Sequence, residues 1–198
     1  MSTAVLDFKS VHDRFRPRVL RYVARLVGQA DAEDVTQSVM LKVNEGLADF
    51  RGESSLSTWI YRSATNAALD RLRMKRMPSV SDAQLDCDGA DVPPEAQTES
   101  AETTVMREEM NACIAEFVAQ LPENCRTVMI LSGLEGFKND EIACILGLSV
   151  DTVKIRLHRA RGKLREAFEA GCNLSSDEGN ELACDRKSVA SITFRPRP

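Results

Sequence analysis

A glycine-serine break between two apolar helical patterns constrains the fold of this chain more than any other feature. The run lies at residues 140–165 and reads DEIACILGLSVDTVKIRLHRARGKLR. Gly147 is typical of a helix C-terminus, because glycine readily adopts the left-handed conformation that ends a helix, and Ser149 is typical of the N-cap of a following helix. The sequence therefore predicts a helix-turn-helix.

The second helix of this pair has one apolar face and several basic ones. Apolar residues recur at helical spacing, namely Val153, Leu157, Ala160 and Leu164. The remaining faces carry Lys154, Arg156, His158, Arg159, Arg161, Lys163 and Arg165. Such a helix fits the major groove of DNA, where its first residues meet base edges and its arginines meet phosphates. A solvated charged helix is the alternative interpretation, but the capped turn in front favours DNA binding.

The charge of the chain is concentrated in one acidic segment. Its 198 residues, 43% of them hydrophobic, are enough for one large or two small globular domains. The net charge of −4 is unusual for a DNA-binding protein. Residues 81–110 account for it, since they contain nine acidic residues and one basic residue, a net charge of −8. The rest of the chain is therefore free to present basic surfaces.

The chain has the composition of a cytoplasmic protein. It contains neither an apolar run of the roughly 20 residues that a membrane span needs nor the apolar core of a signal peptide. Its six cysteines follow no regular spacing. In a reducing cytosol we expect them to be thiols rather than a disulfide framework.

The N-terminal part of the chain has the apolar periodicity of two helices. An apolar stripe from Phe8 to Val27 predicts the first, which Pro17 is expected to kink or divide and Gly28 to close. In the second, Asp31 is expected to cap the helix. Its buried side is expected to include Val35, Val39, Leu41 and Val43.

Residues 50–76 combine aromatic and basic residues on a third predicted helix. A Gly-Ser loop leads into a segment in which Trp59, Tyr61 and Asn66 stand among arginines. Unpaired bases stack on aromatic rings while cations hold the backbone, so this composition suits a single-stranded nucleic acid. Packing of the two rings in a core is the alternative interpretation.

Three motifs follow one another between Asp31 and Arg165. They read DAEDVTQ, then FRGESSLSTWIYRSATNAALDRLR, then LPENCRTVMILSGLEGFKNDEIACILGLSVDTVKIRLHRARGKLR. In this order they resemble the bacterial RNA polymerase sigma factors of the extracytoplasmic-function (ECF) group, over about residues 7–170. The resemblance implies a protein without enzymatic activity or cofactor that binds core RNA polymerase, melts the −10 element and reads the −35 element of promoter DNA. It leaves open whether an anti-sigma factor is a further partner.

The resemblance also assigns roles to individual positions. The −35 contacts fall on the start of the last helix, at Thr152, Lys154, Ile155, Arg156, His158 and Arg159. The −10 contacts fall on Phe50, Trp59, Tyr61, Arg62 and Asn66, with Phe50 and Asn66 flanking the loop that holds a flipped base. Docking on the polymerase falls on Asp31, Asp34 and Gln37.

We therefore expect an all-α fold of two small helical domains joined by an acidic flexible linker, the second domain containing the helix-turn-helix. The expected boundaries are 1–78 for the polymerase-binding and promoter-melting domain, 79–105 for the linker, 106–170 for the −35-reading domain and 171–198 for a tail. The linker is either a plain tether or, as the resemblance implies, an acidic segment that threads into the polymerase.

The tail contains two cysteines, which allow two interpretations. We expect a disordered or loosely docked segment. The alternative is a metal or redox sensor in which Cys172 and Cys184 are joined by Cys87 from the linker. Three thiolates leave a structural zinc site short of its usual four ligands, so no metal is assigned.

A free-standing helix-turn-helix regulator that binds an operator as a dimer is the alternative function. That class needs a dimer interface or a ligand pocket. Residues 1–80 instead carry the aromatic and basic pattern described above, which favours the sigma factor.

Overall fold

A computed structural model of the protein describes the backbone of residues 7–75, 115–176 and 182–186, and the side chains of residues 7–75 and 115–171. Its elements, numbered in chain order, are α1 Phe8–Val27, α2 Gln29–Gly46, α3 Leu56–Lys75, α4 Glu123–Gly133, α5 Asn139–Leu146, α6 Val150–Gly171, β1 Cys172–Ser176 and β2 Leu182–Arg186. Residues 115–120 are also helical. The predicted helical fold is confirmed, while the linker predicted at 79–105 lies outside the described residues.

The described residues divide into two compact units. The first contains α1, α2 and α3 together with residues 130–154, and the second contains residues 115–129 and those from 155 onwards. In the first unit α1, α2 and α3 pack against one another, and α3 also packs against α5. The association of α5 with α3 joins parts of the chain that the expected domain boundaries would separate.

One face of α1 forms much of the core of the first unit. Its buried residues are Val11, Phe15, Val19, Tyr22, Val23, Leu26 and Val27. The predicted apolar stripe includes all of them except Tyr22, and its first residue, Phe8, is only half-buried. The helix continues through Pro17, so the proline does not divide it. Gly28 closes the helix with a φ of 88° and donates its N–H to the Ala24 carbonyl over 3.0 Å. That backbone conformation is one that glycine adopts without steric cost.

A pair of buried tyrosines joins α1 to α3. The Tyr22 hydroxyl lies 2.7 Å from Thr65 Oγ1, and Thr65 Oγ1 in turn donates to the Tyr61 carbonyl over 2.7 Å. The rings of Tyr22 and Tyr61 have centroids 5.0 Å apart. Burial raises the pKa of Tyr22 well above its usual value, so the phenol stays neutral. The hydroxyls of Tyr22 and Thr65 and the Tyr61 carbonyl are therefore paired with one another rather than with water.

Asp31 joins α2 to α3. The helix begins at Gln29, and Asp31 lies in its first turn, so the prediction that Asp31 caps the helix is wrong. Its carboxylate accepts from Arg71 Nη2 over 2.7 Å and Nε over 3.1 Å, and it also pairs with Lys75. The hydrogen bonds from Lys75 and Arg71 lower the pKa of Asp31 below its ordinary value of 3.8. The carboxylate is thus held in its charged form between two cations.

The turn between α5 and α6 has the predicted helix-turn-helix geometry. Gly147 adopts the left-handed conformation with φ 66° and ψ 34° and ends α5. Ser149 Oγ accepts the backbone N–H of Thr152 over 3.1 Å, which is the predicted N-cap. The four apolar residues of α6, namely Val153, Leu157, Ala160 and Leu164, are all buried.

The second unit contains an aromatic pair and a buried cysteine. The rings of Phe117 and Phe168 have centroids 4.7 Å apart. Cys125, which is fully buried, is disulfide-bonded. The expectation of free thiols is therefore wrong for this residue, whereas Cys144 in α5 is free and exposed.

A β-hairpin follows α6 directly. Strands β1 and β2 pair antiparallel, with Cys172 opposite Arg186 and Leu174 opposite Cys184. The expected disorder is therefore wrong for residues 172–176 and 182–186, whereas loose docking of this segment stays a prediction. The hairpin adds two strands to a chain that was expected to be entirely helical.

Candidate nucleic-acid and polymerase interface

The predicted −35-reading residues lie along the first turns of α6. Lys154 and Ile155 are exposed, and the apolar side chain of Ile155 has 51% of its surface in solvent. The other predicted residues are half-buried, namely Thr152, Arg156, His158 and Arg159. Residues at positions i, i+1, i+4 and i+5 share a helix face, so Lys154, Ile155, His158 and Arg159 lie together on α6. This face can offer cationic donors and an apolar contact to a groove.

Two of these residues also make local contacts. Lys154 Nζ lies 3.4 Å from Asp151 Oδ1, and both side chains are well exposed, so the pair contributes little to stability. Thr152 Oγ1 lies 2.8 Å from Ser149 Oγ in the N-cap. Lys154 can therefore turn toward a phosphate at small cost, whereas Thr152 also helps to order the start of the helix.

Exposed polar residues of α3 occupy one face of that helix. Arg62 and Asn66 are both exposed and stand four residues apart, which places them one turn apart on the same side. Both had been predicted at the −10 surface. Their amide and guanidinium groups are free to meet a nucleic acid strand.

Phe50 and Trp59 form an aromatic pair before and within α3. Both are half-buried, and their ring centroids lie 5.4 Å apart. The indole also covers Gly46, where a Cβ would lie 3.0 Å from Trp59 Cζ2. The pair is thus ordered by packing while part of each ring remains open to solvent. Both interpretations of Trp59, core packing and base stacking, are compatible with a half-buried ring.

Tyr61 is placed differently from its prediction. Its side chain is fully buried, with its ring against Tyr22 and, at 4.8 Å between centroids, against Phe137. Its hydroxyl donates to Glu135 Oε2 over 2.5 Å. The assignment of Tyr61 to the DNA surface is therefore wrong for this conformation, because no face of the ring is available for stacking.

The predicted polymerase-docking residues of α2 separate into two groups. Asp34 and Gln37 are exposed. Asp31 is only 5% exposed and is held by Arg71 and Lys75, so its burial and ion pairs give it a structural role instead of a docking role. The docking assignment therefore rests on Asp34 and Gln37.

Leu41 extends this surface, contrary to its prediction as a core residue. It is 57% exposed, whereas Val35, Val39 and Val43 are buried as expected. Leu41 stands seven residues after Asp34 and four after Gln37, so all three share one side of α2. That spacing was visible in the sequence, but the apolar character of Leu41 favoured the opposite assignment.

The cysteines proposed as a metal or redox site are beyond what the structure describes. Cys87 is outside the described residues, and the side chains of Cys172 and Cys184 are also outside them. In the backbone register Cys184 pairs with Leu174 rather than with Cys172. Within residues 7–75 and 115–171 there is no group of three or more candidate metal ligands.

Two family models match this chain in the order that the motifs indicated. Residues 11–77 match sigma-70 region 2, and residues 111–164 match sigma-70 region 4. The RNA polymerase sigma-H factor of Pseudomonas aeruginosa is 32% identical over 160 residues, which cover 79% of this chain and 83% of that protein. This chain belongs to the sigma-70 family of RNA polymerase sigma factors. It is an alternative sigma factor that directs transcription initiation.

Other relatives place it in the ECF group. The ECF sigma-E factor of Haemophilus influenzae is 31% identical over 165 residues, with 82% of this chain and 87% of that protein covered. The ECF sigma-E factor of Escherichia coli K12 is 32% identical over 155 residues, covering 75% and 79%. None of these similarities favours the free-standing regulator.

Solved structures of sigma factors have a similar fold. CnrH in complex with the cytosolic domain of CnrY matches with a TM-score of 0.58 and 25% identity over 82% of this chain and 88% of CnrH. RpoE from Bartonella quintana, solved with the anti-sigma factor NepR, matches with a TM-score of 0.61 over 82% of this chain and 97% of RpoE. Because the second match has only 24% sequence identity, it shows a similar fold and nothing further. Among the described helices of this sigma factor, none combines the length and hydropathy that crossing a membrane requires.

Proposed function

We propose that three helices of this ECF sigma factor each have a separate function in transcription initiation. In this proposal α2 docks on core RNA polymerase, α3 opens the −10 element, and α6 reads the −35 element. The protein then acts in the cytoplasm as a subunit of the polymerase and performs no catalysis of its own. The domain boundaries expected above, 1–78, 79–105, 106–170 and 171–198, belong to the same proposal.

The docking surface consists of Asp34, Gln37 and Leu41. The carboxylate and the amide can make hydrogen bonds that fix the orientation of a partner. The exposed apolar side chain on the same side of the helix can bury surface against that partner. The opposite side of α2 is buried against α1 and α3, and Asp31 fixes it there. Docking would therefore position α3 as well as α2.

The −10 surface consists of Arg62 and Asn66 with the pair Phe50 and Trp59. An unpaired base can stack on the open part of an aromatic ring while an amide meets its edge, and the guanidinium can hold the backbone. Tyr61 is buried in the core against Tyr22 and does not contact DNA in the described conformation.

The −35 surface consists of Lys154, Ile155, His158 and Arg159, with Thr152 and Arg156 at its sides. The exposure of Ile155 carries the proposal. Its aliphatic side chain is 51% exposed among the basic residues of this face, and the thymine methyl group in the major groove is an apolar contact that it can meet.

An anti-sigma factor is a further proposed partner. The structure of CnrH was solved in complex with the cytosolic domain of CnrY, and that of RpoE in complex with the anti-sigma factor NepR. A soluble or membrane-bound inhibitor that covers the surfaces of α2 or α3 would keep this sigma factor from the polymerase.

Reconstitution with core RNA polymerase tests the three assignments separately. Asp34→Asn should weaken core binding, whereas Asp49→Asn, which removes another exposed carboxylate just beyond α2, should not. Arg159→Ala should leave core binding intact and lower binding to a promoter carrying the −35 element. The proposal is wrong if Asp34→Asn and Asp49→Asn bind core polymerase equally, or if Arg159→Ala leaves promoter selection unchanged.

A further inference from the structure

Gly46 lies against the only tryptophan of the chain. It is the last residue of α2, and a Cβ placed on it would lie 3.0 Å from Cζ2 and 3.4 Å from Cη2 of Trp59. Its backbone is not in the left-handed region, unlike that of Gly52, whose φ is 71°. What matters at this position is therefore the missing side chain and not the conformational freedom of glycine.

Two overlapping turns after Gly46 bring Phe50 to the same indole. Asp49 donates its backbone N–H to the Gly46 carbonyl over 3.2 Å, and Phe50 donates its own to the Leu47 carbonyl over 3.3 Å. Leu47 is buried, which anchors these turns. The centroid of the Phe50 ring lies 5.4 Å from that of Trp59. The end of α2 therefore supports both aromatic rings.

The backbone of Trp59 is fixed by the capped start of α3. Ser55 Oγ accepts the backbone N–H of Thr58 over 3.0 Å, and the Ser55 carbonyl accepts that of Trp59 over 3.0 Å. Thr58 is only 3% exposed, so this turn is packed in the core. The indole itself is half-buried. A methyl group added at Gly46 would therefore move the ring toward solvent and leave the helix in place.

We infer that Gly46 is a positioning residue for promoter opening: it leaves the space in which the Trp59 indole lies, and so determines where Trp59 and Phe50 stack an unpaired −10 base. This inference rests on the proposed function of α3. A side chain at position 46 would displace the indole by a few tenths of an ångström. Functional contacts have to be held within about 0.5 Å, so a shift of this order is enough to weaken stacking.

A glycine-to-alanine exchange with a matched control tests the inference. Gly46→Ala adds one methyl group against the indole. Gly162→Ala adds the same group in α6, where a Cβ would meet nothing within 4 Å outside its own stretch of helix. Trp59→Phe removes both indole atoms that the added methyl group would meet, so Gly46→Ala in a Trp59→Phe background completes a double-mutant cycle.

The free chain and the holoenzyme are measured separately. Emission and acrylamide quenching of the free chain report on Trp59 alone, because the chain has one tryptophan. Urea unfolding followed by circular dichroism reports on the fold. Holoenzyme reconstituted with core polymerase is bound to a labelled single-stranded oligonucleotide that carries the non-template −10 sequence of a promoter it opens. Further oligonucleotides have each −10 base in turn replaced by an abasic site.

We expect Gly46→Ala to increase acrylamide quenching of Trp59 and to weaken oligonucleotide binding by about three- to tenfold, which is part of the stacking of one base. Core binding should be unchanged, and the unfolding midpoint should not fall, because alanine favours a helix more than glycine does. On the oligonucleotide that lacks the stacked base, Gly46→Ala and the wild type should bind equally. Gly162→Ala should match the wild type throughout, and Gly46→Ala should have no further effect in the Trp59→Phe background.

Several results would overturn the role of Gly46. Unchanged quenching in Gly46→Ala would show that the indole does not depend on this glycine, and equal oligonucleotide binding would show that its position does not matter for the −10 element. Loss of core binding, or a loss of stability or oligonucleotide affinity that persists in the Trp59→Phe background, would assign Gly46 to the docking surface or the fold. Wild-type holoenzyme that is insensitive to every abasic site would instead remove the proposed function of α3, and the role of Gly46 with it, whatever the quenching.

Discussion

Two neighbouring apolar residues of α6 should give opposite phenotypes when each is cut back to alanine. Leu157 is 3% exposed, whereas Ile155 is 51% exposed. Leu157→Ala leaves a cavity in a core and should lower the free energy of unfolding by about 2 to 5 kcal/mol. Ile155→Ala removes three carbon groups, each worth about 0.8 kcal/mol when buried. Because only about half of that side chain remains to be buried, DNA binding should lose about 1 kcal/mol, or five- to tenfold in affinity.

Two assays separate these effects. Thermal and urea unfolding of the free chain should show a large loss of stability for Leu157→Ala and almost none for Ile155→Ala. Fluorescence anisotropy of the reconstituted holoenzyme on a labelled promoter fragment should show the reverse order of defects. A substitution of thymines in the −35 element should abolish the difference between Ile155→Ala and the wild type. Equal promoter affinity for Ile155→Ala and the wild type on the original element would refute the assignment of this face to DNA.

Three further predictions concern α2, α3 and the turn. Asn66→Ala should leave core binding intact and reduce the permanganate reactivity of unpaired −10 thymines, with pre-opened DNA restoring part of the signal; loss of core binding would place Asn66 in the docking surface or the fold instead. Asp31→Asn should destabilise the protein at neutral pH. Because the folded pKa of Asp31 is lowered, its contribution is present above its ordinary value of 3.8 and is lost as the pH falls below that value, so urea unfolding of the two proteins should converge in acid. Gly147→Ala should cost about 1 kcal/mol by forcing a side chain into the left-handed region, measured as a lower unfolding midpoint; an unchanged midpoint would contradict the helix ending described here.

Local patterns in the sequence were sufficient for the helix-turn-helix. Gly147 and Ser149 act on their own backbone and on the residue three positions away, so their roles follow from sequence neighbours alone. The apolar spacing of α6 predicted its buried face for the same reason. These features depend on 3.6 residues per turn and on which residues can end or begin a helix.

The misassigned residues depend on partners that are distant in the sequence. Asp31 looks like a capping or docking acid until Arg71, 40 positions later, is seen to hold it. Tyr61 looks like a stacking residue until Glu135, 74 positions later, accepts its hydroxyl. Leu41 looks like a core residue because apolar side chains usually are, although its position on α2 is outward. A pattern of residue types does not contain these pairings.

The hairpin after α6 was missed for a different reason. Residues 172–186 alternate apolar and polar types only from Cys172 to Ser175, and they lack the Asn-Gly or Asp-Gly turn that predicts two paired strands. Their backbone pairing is nevertheless regular, from Cys172 opposite Arg186 to Ser176 opposite Leu182.

Helix α2 fixes the angle between its contact with α3, which Asp31 makes, and its outward surface, which carries Asp34 and Gln37. Asp31 points inward to α3, while Asp34 and Gln37 point outward, and a helix turns by about 100° for each residue added. Inserting one residue between Asp31 and Asp34 would therefore rotate the outward surface by about a quarter of a turn against α3, although every side chain involved would still be present. Under the proposed roles, strand opening then begins at a set distance and direction from the place where the polymerase holds α2. This stretch of the chain should tolerate substitutions far better than insertions or deletions.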